Sequence, residues 1–470
     1  MAAGPGLQAQ RSTGALAERM NRLLDEPPFD RGLWGVAIAD PRGRIVYERN
    51  SGRLFVPASS TKVIVAAAAL WMLPEDYRFR TTVYGTGPIR NGVLEGDLVL
   101  YGRGDPTLSR RFARGGPGPL EQLADSLAQR GITRVSGDLV GDASWFDSTT
   151  THSDWESGDL AWAYAAPVAA LGYNDNSVQV RVTPTQSGSP PTIDVWPDYG
   201  GLLLANRART VSRDSSRRFD FRRLVGTNII QADGDVPADT RPRTESLAVP
   251  DGALYAAEAF RRALEVRGIS IGGRVRSHYD PFTSASASAS ILAERQSLPI
   301  DSVIVPILES SNNWYAEMLL KTLGREILGR GTWEAGLEVE KAWLRDSLRL
   351  DTSMIWLSDA SGLSHHDLVA PRAFLTILQR MKNHRRWESF RNALPQGGES
   401  GTLRSRFTRG ALAGRVRAKT GSIGNVNTLN GYIEDADGGV WTFSIQVNNH
   451  AGRSRDAIDR IDAVVAAIPR

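Results

Sequence analysis

Apolar residues recur at helical spacing over residues 16–24 and then give way to two short runs, residues 34–39 and 44–47, joined by Asp40-Pro41-Arg42-Gly43. Pro presets the turn and Gly completes it, so the two runs predict a hairpin. Pro57-Ala58-Ser59 leads into residues 61–72, whose Ala-rich apolar run predicts a core helix with Ser59 on its first turn. From about residue 80 to 249 the pattern shortens to alternating runs such as residues 93–101, 137–140 and 177–183, which predict a strand-rich insertion. Residues 254–267 have the spacing of an amphipathic helix, residues 275–279 of a strand, and Ser284 to Ser290 alternates Ser and Ala as a linker does; a domain boundary is expected there. Helical spacing returns at residues 314–324, 333–346 and 372–381, strand patterns at 415–420, 429–433 and 441–448, and a helix at 455–468 closes the chain. The two ends share helix-plus-antiparallel-sheet character and the middle differs, so the pattern predicts a mixed α/β (α+β) protein: one split domain hosting an insertion.

A length of 470 residues with 41% hydrophobic and 23% charged residues suits two or three domains with real cores, and excludes wholesale disorder. The net charge of +4 is too dilute over such a chain to make a nucleic-acid surface. The longest apolar run, residues 63–73, falls short of the ~20 residues that cross a bilayer and reads as a buried helix. No charged n-region followed by an apolar stretch opens the chain, so any export leader is expected to be absent from this sequence. There is no Cys, hence no disulfide, thiolate nucleophile or Cys-bound zinc, and the six His show no HExxH spacing, so no metal site is expected.

The basic residues change the picture most. There are 51 Arg and only five Lys: Lys62, Lys321, Lys341, Lys382 and Lys419. Solubility and ion pairing accept either residue, but Arg cannot act as a base near neutral pH, so each remaining Lys is a candidate for chemistry. Ser59-Ser60-Thr61-Lys62 is a Ser-x-x-Lys, whose three-residue spacing on a helix brings a hydroxyl and an amine to one face, a nucleophile beside its base. Such a match arises by chance about 0.4 times in a chain like this, and an N-capping Ser reads the same way. Lys419-Thr420-Gly421-Ser422 is rarer, with a chance expectation of about 0.07 for Lys-[Ser/Thr]-Gly. Its charge and hydroxyls suit a carboxylate, and Gly421 suits close approach of a substrate backbone to the strand; the alternative is a polar strand end. Ser310-Ser311-Asn312-Asn313 holds Ser-x-Asn in two registers and also describes an N-cap. The ordered triple of Ser-x-x-Lys, Ser-x-Asn and Lys-Thr-Gly is similar to the motif set of penicillin-binding proteins and class A β-lactamases.

With Pro57-Ala58 before Ser59, Gly104-Asp105-Pro106-Thr107-Leu108, Gly141-Asp142-Ala143-Ser144-Trp145-Phe146-Asp147, Tyr173-Asn174-Asp175-Asn176-Ser177-Val178, Asp359-Ala360-Ser361-Gly362-Leu363-Ser364 and Gly401-Thr402-Leu403, the likeness runs nearly end to end. The chain resembles the penicillin-binding D-alanyl-D-alanine carboxypeptidases of the peptidase S13 type, the class C low-molecular-mass penicillin-binding proteins. In that family the Ser-x-Asn block continues into Ala-Glu, which sets the register at Ser311 and Asn313, ahead of Ala316-Glu317; Asn312 stands where the family commonly has Asp. Ser311 lies 252 residues after Ser59, more than a compact β-lactamase core accommodates. The resemblance implies a penicillin-binding/serine β-lactamase-like domain, an antiparallel sheet flanked by helices, formed by residues 1–80 and 291–470. An inserted domain II would span 81–165 and 249–290, with a nested domain III at 166–248.

The same resemblance implies a serine-type D-Ala-D-Ala carboxypeptidase acting on peptidoglycan stem peptides through an acyl-enzyme, extending to DD-endopeptidase action on cross-bridges. β-Lactam antibiotics would be covalent inhibitors, and no cofactor is called for. Ser59 would be the nucleophile, Lys62 its base, Ser311 a proton relay to the leaving amine and Asn313 an orienting group. Lys419 and Thr420 would grip the terminal carboxylate beside Gly421, with the backbone N–H groups of Ser59 and Ser422 as the oxyanion hole. Trp145, Phe146 and Asp147 are a candidate specificity pocket, plain core and turn being the competing reading. A serine β-lactamase or esterase and a non-catalytic wall-binding protein are the alternative functions. The expected location is the cell envelope, periplasmic or secreted.

Overall fold

A computed structural model describes residues 5–468 except Arg114, Gly201, residues 213–217, Val225, Ser284 and residues 287–288. The chain divides into two units, residues 1–76, 300–323 and 336–470 in the first and residues 77–299 and 324–335 in the second.

The first unit contains α1 (Pro5–Asp25), β1 (Leu33–Ala39), β2 (Ile45–Arg49), α2 (Lys62–Met72), α3 (Ile300–Leu308), α4 (Asn313–Leu328, whose end crosses into the second unit), α5 (Trp333–Asp346, which begins in the second unit), α6 (Pro371–Lys382), α7 (Trp387–Ala393), β3 (Val416–Ile423), β4 (Val426–Glu434), β5 (Val440–Asn448) and α8 (Ser454–Ala466). Its sheet is antiparallel throughout in the order β2-β1-β5-β4-β3, so the N-terminal hairpin is zipped to the C-terminal strands through the pairs of β1 with β5, such as Trp34 with Val447. Because side chains alternate along a strand, Trp34, Val36 and Ile38 share a face with Phe443, Ile445 and Val447. That face meets Leu16, Met20 and Leu24 of α1 and Ile461, Val464 and Val465 of α8. The opposite face carries Ala37 and Ala39, small enough for Leu375 of α6 to sit against them. Behind it α2 is buried along its whole length from Lys62 to Leu70, as a helix apolar on all sides must be.

The expected α+β character and the hairpin are present, with informative differences. Ser59 lies not in the α-helix but in a tight 3-10 turn, Ala58–Thr61, that precedes it. Helix α3 was not anticipated because Pro306 lies inside it, and a proline weakens any helical reading. The run at residues 93–101 breaks at Glu95-Gly96-Asp97 into Val93–Leu94 and Leu98–Gly102, which enter different sheets.

The second unit holds a five-stranded sheet in the order Val275–His278, Leu139–Asp142, Leu98–Gly102, Arg80–Gly85, Ser290–Gln296, together with a smaller four-stranded one. Strands between residues 177 and 248 make two further sheets of their own. Part of the Ser-Ala run lies outside the described residues; Ser290–Gln296, which follows it, pairs with Arg80–Gly85, and the chain leaves this unit only at Pro299.

Candidate active site

The turn that carries Ser59 is pinned from below. Ala58 adopts φ 47, and Thr61 Oγ1 donates to the Ala58 carbonyl at 3.0 Å. Ser60 is fully buried, its Oγ 2.7 Å from Thr428 Oγ1 and accepting from Asn430 Nδ2 at 2.7 Å, both on β4. Thr428 Oγ1 in turn donates to the Pro57 carbonyl at 3.0 Å. Ser60 is thus the anchor and Ser59, half-buried, is the serine left facing a cavity of about 380 Å3.

Lys62 is fully buried at the start of α2, with Nζ 2.9 Å from Ser59 Oγ and 2.6 Å from the Ser361 carbonyl. Burial pushes its pKa down to about 8, against the pull of Asp359, Glu317 and Asp367, which favour its charged form.

Ser311 sits at φ 60 between α3 and α4, and the structure distinguishes the two Ser-x-Asn registers. Ser310 Oγ is turned back to the Pro306 carbonyl at 2.9 Å, whereas Ser311 lines the cavity. Asn312 performs the capping role, its Oδ1 accepting from the Tyr315 N–H at 3.1 Å, and Asn313 is the first residue of α4. The capping contact thus falls to Asn312, and Ser311 is the serine of the pair on the cavity wall.

Lys419 is fully buried on β3 and donates to Ser311 Oγ and to the Thr420 carbonyl, each at 2.8 Å. Its pKa is pushed well below the usual lysine range by burial, and further by the charge of Lys62. Thr420 Oγ1 donates to Thr402 Oγ1 at 2.9 Å, and Ser422 Oγ accepts from Asn427 Nδ2 at 2.8 Å. Gly421 lines the cavity and is also packed closely against protein. A Cβ there would come within 2.6 Å of the Pro57 carbonyl and 2.3 Å of Thr428 Oγ1, so the missing side chain is what lets β3 lie against the turn that carries Ser59.

Two Lys–Ser pairs, Lys62 with Ser59 and Lys419 with Ser311, thus converge on one cavity, whose walls include Thr402, Thr420, Gly421 and Ser422. Trp145, Phe146 and Asp147 are residues of the second unit and are not among those walls. Trp145 and Phe146 are buried with ring centroids 5.3 Å apart, the guanidinium groups of Arg103 and Arg325 lie 5.6 and 5.9 Å from the Trp145 ring, and the Asp147 N–H donates to the Gly331 carbonyl. Sequence reasoning had no role for Ser361, because its contribution is a backbone carbonyl, which leaves no mark in residue type; only the Asp-Ala-Ser-Gly string pointed to the loop.

The model of the D-Ala-D-Ala carboxypeptidase 3 (S13) family matches residues 16–468. The chain is 36% identical over 463 residues to a D-alanyl-D-alanine carboxypeptidase of Actinomadura sp. (strain R39), covering 96% of this chain and 84% of that one. It is 27% identical over 416 residues to the D-alanyl-D-alanine carboxypeptidase DacB of Haemophilus influenzae, covering 87% and 84%. The crystal structure of penicillin binding protein 4 (dacB) from Haemophilus influenzae is similar to this structure with a TM-score of 0.85 at 25% identity, covering 95% of this chain and 98% of that chain.

Proposed function

The chain belongs to the D-Ala-D-Ala carboxypeptidase 3 (S13) family, and from that premise we propose that Ser59 is its nucleophile and Lys62 the base that activates it. The enzyme is a serine-type D-Ala-D-Ala carboxypeptidase acting on peptidoglycan peptides, and β-lactams are ligands of its family. Neutral Lys62 takes the proton as Ser59 Oγ attacks the carbonyl of the penultimate D-Ala, and the new C–O bond forms as the carbonyl becomes an oxyanion. The backbone N–H groups of Ser59 and Ser422 receive that charge. Collapse breaks the C–N bond; Ser311 relays the proton to the departing D-Ala amine, Asn313 orients Lys62 and the substrate amide, and water then hydrolyses the acyl-enzyme. Lys419 and Thr420 hold the terminal carboxylate, whose approach restores the charge that burial disfavours on Lys419.

The observation that carries this reading is a fully buried Lys62 placed 2.9 Å from Ser59 Oγ with its pKa lowered to about 8. The walls of the cavity also include Arg455 and Ile458 of α8, and DD-endopeptidase action on cross-bridges belongs to the same proposal. Trp145, Phe146 and Asp147 remain part of it as a stem-peptide specificity pocket, and the strands between residues 177 and 248 as a nested domain. We place the enzyme in the periplasm or outside the cell; among the described residues no helix is long and apolar enough to cross a membrane. Incubation with a fluorescent penicillin followed by mass mapping tests the assignment: the adduct is expected on Ser59, and an adduct on any other residue overturns it.

A further inference from the structure

The carbonyl that holds Lys62 belongs to a loop, residues 357–367, strung between the paired strands Ile355–Trp356 and Leu368–Val369. This loop is folded around carboxylates rather than around apolar side chains. Glu317 of α4 accepts the Ser361 N–H at 2.7 Å on Oε1, and the Ala360 N–H approaches both of its oxygens at 3.2 Å. Asp359 accepts the Gly362 N–H at 2.7 Å and the Ser364 N–H at 2.8 Å, one on each oxygen. Asp367 closes the loop by accepting the Ser358 N–H at 2.6 Å. All three carboxylates are fully buried, as are Ser361 and Lys62. The loop also touches the nucleophile turn: Gly362 adopts φ 75, and a Cβ on it would fall 1.9 Å from the Ala58 carbonyl. A rigid path therefore runs from Glu317 through the Ser361 peptide to Lys62 Nζ, and buried negative charge lies along it.

We propose that Glu317 and Asp359 are positioning residues for the base. Through the loop they hold the Ser361 carbonyl against Lys62, and their buried charge sets the pH at which Lys62 can accept the proton of Ser59. Burial of Lys62 favours the neutral amine, and Asp359, Glu317 and Asp367 oppose it, so the balance decides how much free base exists near neutral pH. The region's ionisable groups also include Lys419 on β3, whose pKa the charge of Lys62 lowers, Lys321 one turn further along α4, Glu340 on α5, and the exposed His365 and His366 on the loop itself. Glu340 is held well above the usual carboxylate range by burial and by the charges of Glu317 and Asp359. Asp359 and Glu317 act on Lys62 ahead of Asp367, and they are also the two whose carboxylates frame the Ser361 peptide.

The inference rests on the reading of Lys62 as base, and the rate of acylation by a penicillin, measured from pH 5 to 10, tests the two separately. Wild-type acylation is expected to rise with pH and level off above the Lys62 pKa. Glu317→Gln and Asp359→Asn each remove one negative charge, so the rising limb is expected to move to lower pH by about one unit, with a plateau roughly ten-fold lower from the altered hydrogen bonds. Glu317→Asp keeps the charge and should keep the limb in place while also lowering the plateau. A carboxylate with a merely structural role predicts a lower plateau and an unmoved limb in all three, and that result overturns the inference. Any one charge-removing variant that folds, as shown by its thermal melt, decides the point; should neither fold, the limb of Glu317→Asp decides, a displaced limb overturning the inference and an unmoved one supporting it. Lys62→Arg is the separate control: if it acylates at the wild-type rate, the reading of Lys62 as base fails rather than the role of Glu317 and Asp359.

Discussion

Ser59 and Ser60 differ in one hydrogen-bond inventory, and that difference separates their mutational effects. Ser59 faces the cavity with Lys62 Nζ at 2.9 Å, so Ser59→Ala is expected to abolish covalent penicillin labelling while the melting temperature barely changes. Ser60→Ala should still label, but it strips Asn430 Nδ2 and Thr428 Oγ1 of a buried partner. A loss of about 1–3 kcal/mol of stability is expected, visible as a lower denaturant midpoint. Lys62→Arg keeps a positive charge and removes the base, so acylation should fall by roughly 10²–10⁴-fold. The proposed base Lys62 would serve only when neutral, and burial pushes its pKa to about 8, so wild-type acylation should climb by about tenfold per pH unit below that value and flatten above it; a flat profile between pH 6 and 8 would exclude Lys62 as the titrating base. Lys419 is assigned a carboxylate, so Lys419→Ala should cost a free-acid D-Ala-D-Ala peptide a few kcal/mol of transition-state binding and leave the already poor amidated peptide no worse. Equal losses on both peptides would remove Lys419 from that role.

At the scale of the element, the geometry around the Ser59 turn depends on two glycines that bring backbone to backbone. Gly421 admits the Pro57 carbonyl beneath β3, and Gly362 lets the loop of residues 357–367 rest on the Ala58 carbonyl. Gly362→Ala meets both a left-handed φ of 75 and a Cβ placed 1.9 Å from that carbonyl, so the loop must lift. Acylation is expected to drop by at least about 10²-fold from misplacement of the base, with a lower melting temperature. Unchanged kinetics would show that the Ser361 carbonyl is dispensable to Lys62. The helix α2 could be read from its Ala-rich run, because a helix apolar on every side signals its burial in composition alone. The turn before it could not, since a 3-10 segment held by Thr61, Thr428 and Asn430 depends on partners from β4 that arrive some 370 residues later.

For the whole molecule, the division of the chain into two units, each with its own sheets, predicts that unfolding is not two-state. Calorimetry should resolve two transitions, and penicillin acylation of Ser59 should raise only the one belonging to residues 1–76, 300–323 and 336–470, because ligand stabilises the unit that binds it. A single transition that moves as one would contradict this. What the sequence determined by itself was the chemistry and its order along the chain: a Lys-poor chain that keeps Lys62 and Lys419 beside Ser and Thr, the strand and helix periods at both ends, and the family likeness built on those strings. Such features are local, written in residue type and spacing, and so survive without a fold. Tertiary structure alone decided what the neighbouring Ser60 and Ser310 bind, that a Cβ on Gly421 would strike the Pro57 carbonyl, that Lys419 meets Ser311, and that a backbone carbonyl framed by Glu317 and Asp359 holds Lys62. Burial and hydrogen bonding, mostly to segments distant along the chain, set those outcomes, and residue type and spacing do not encode them.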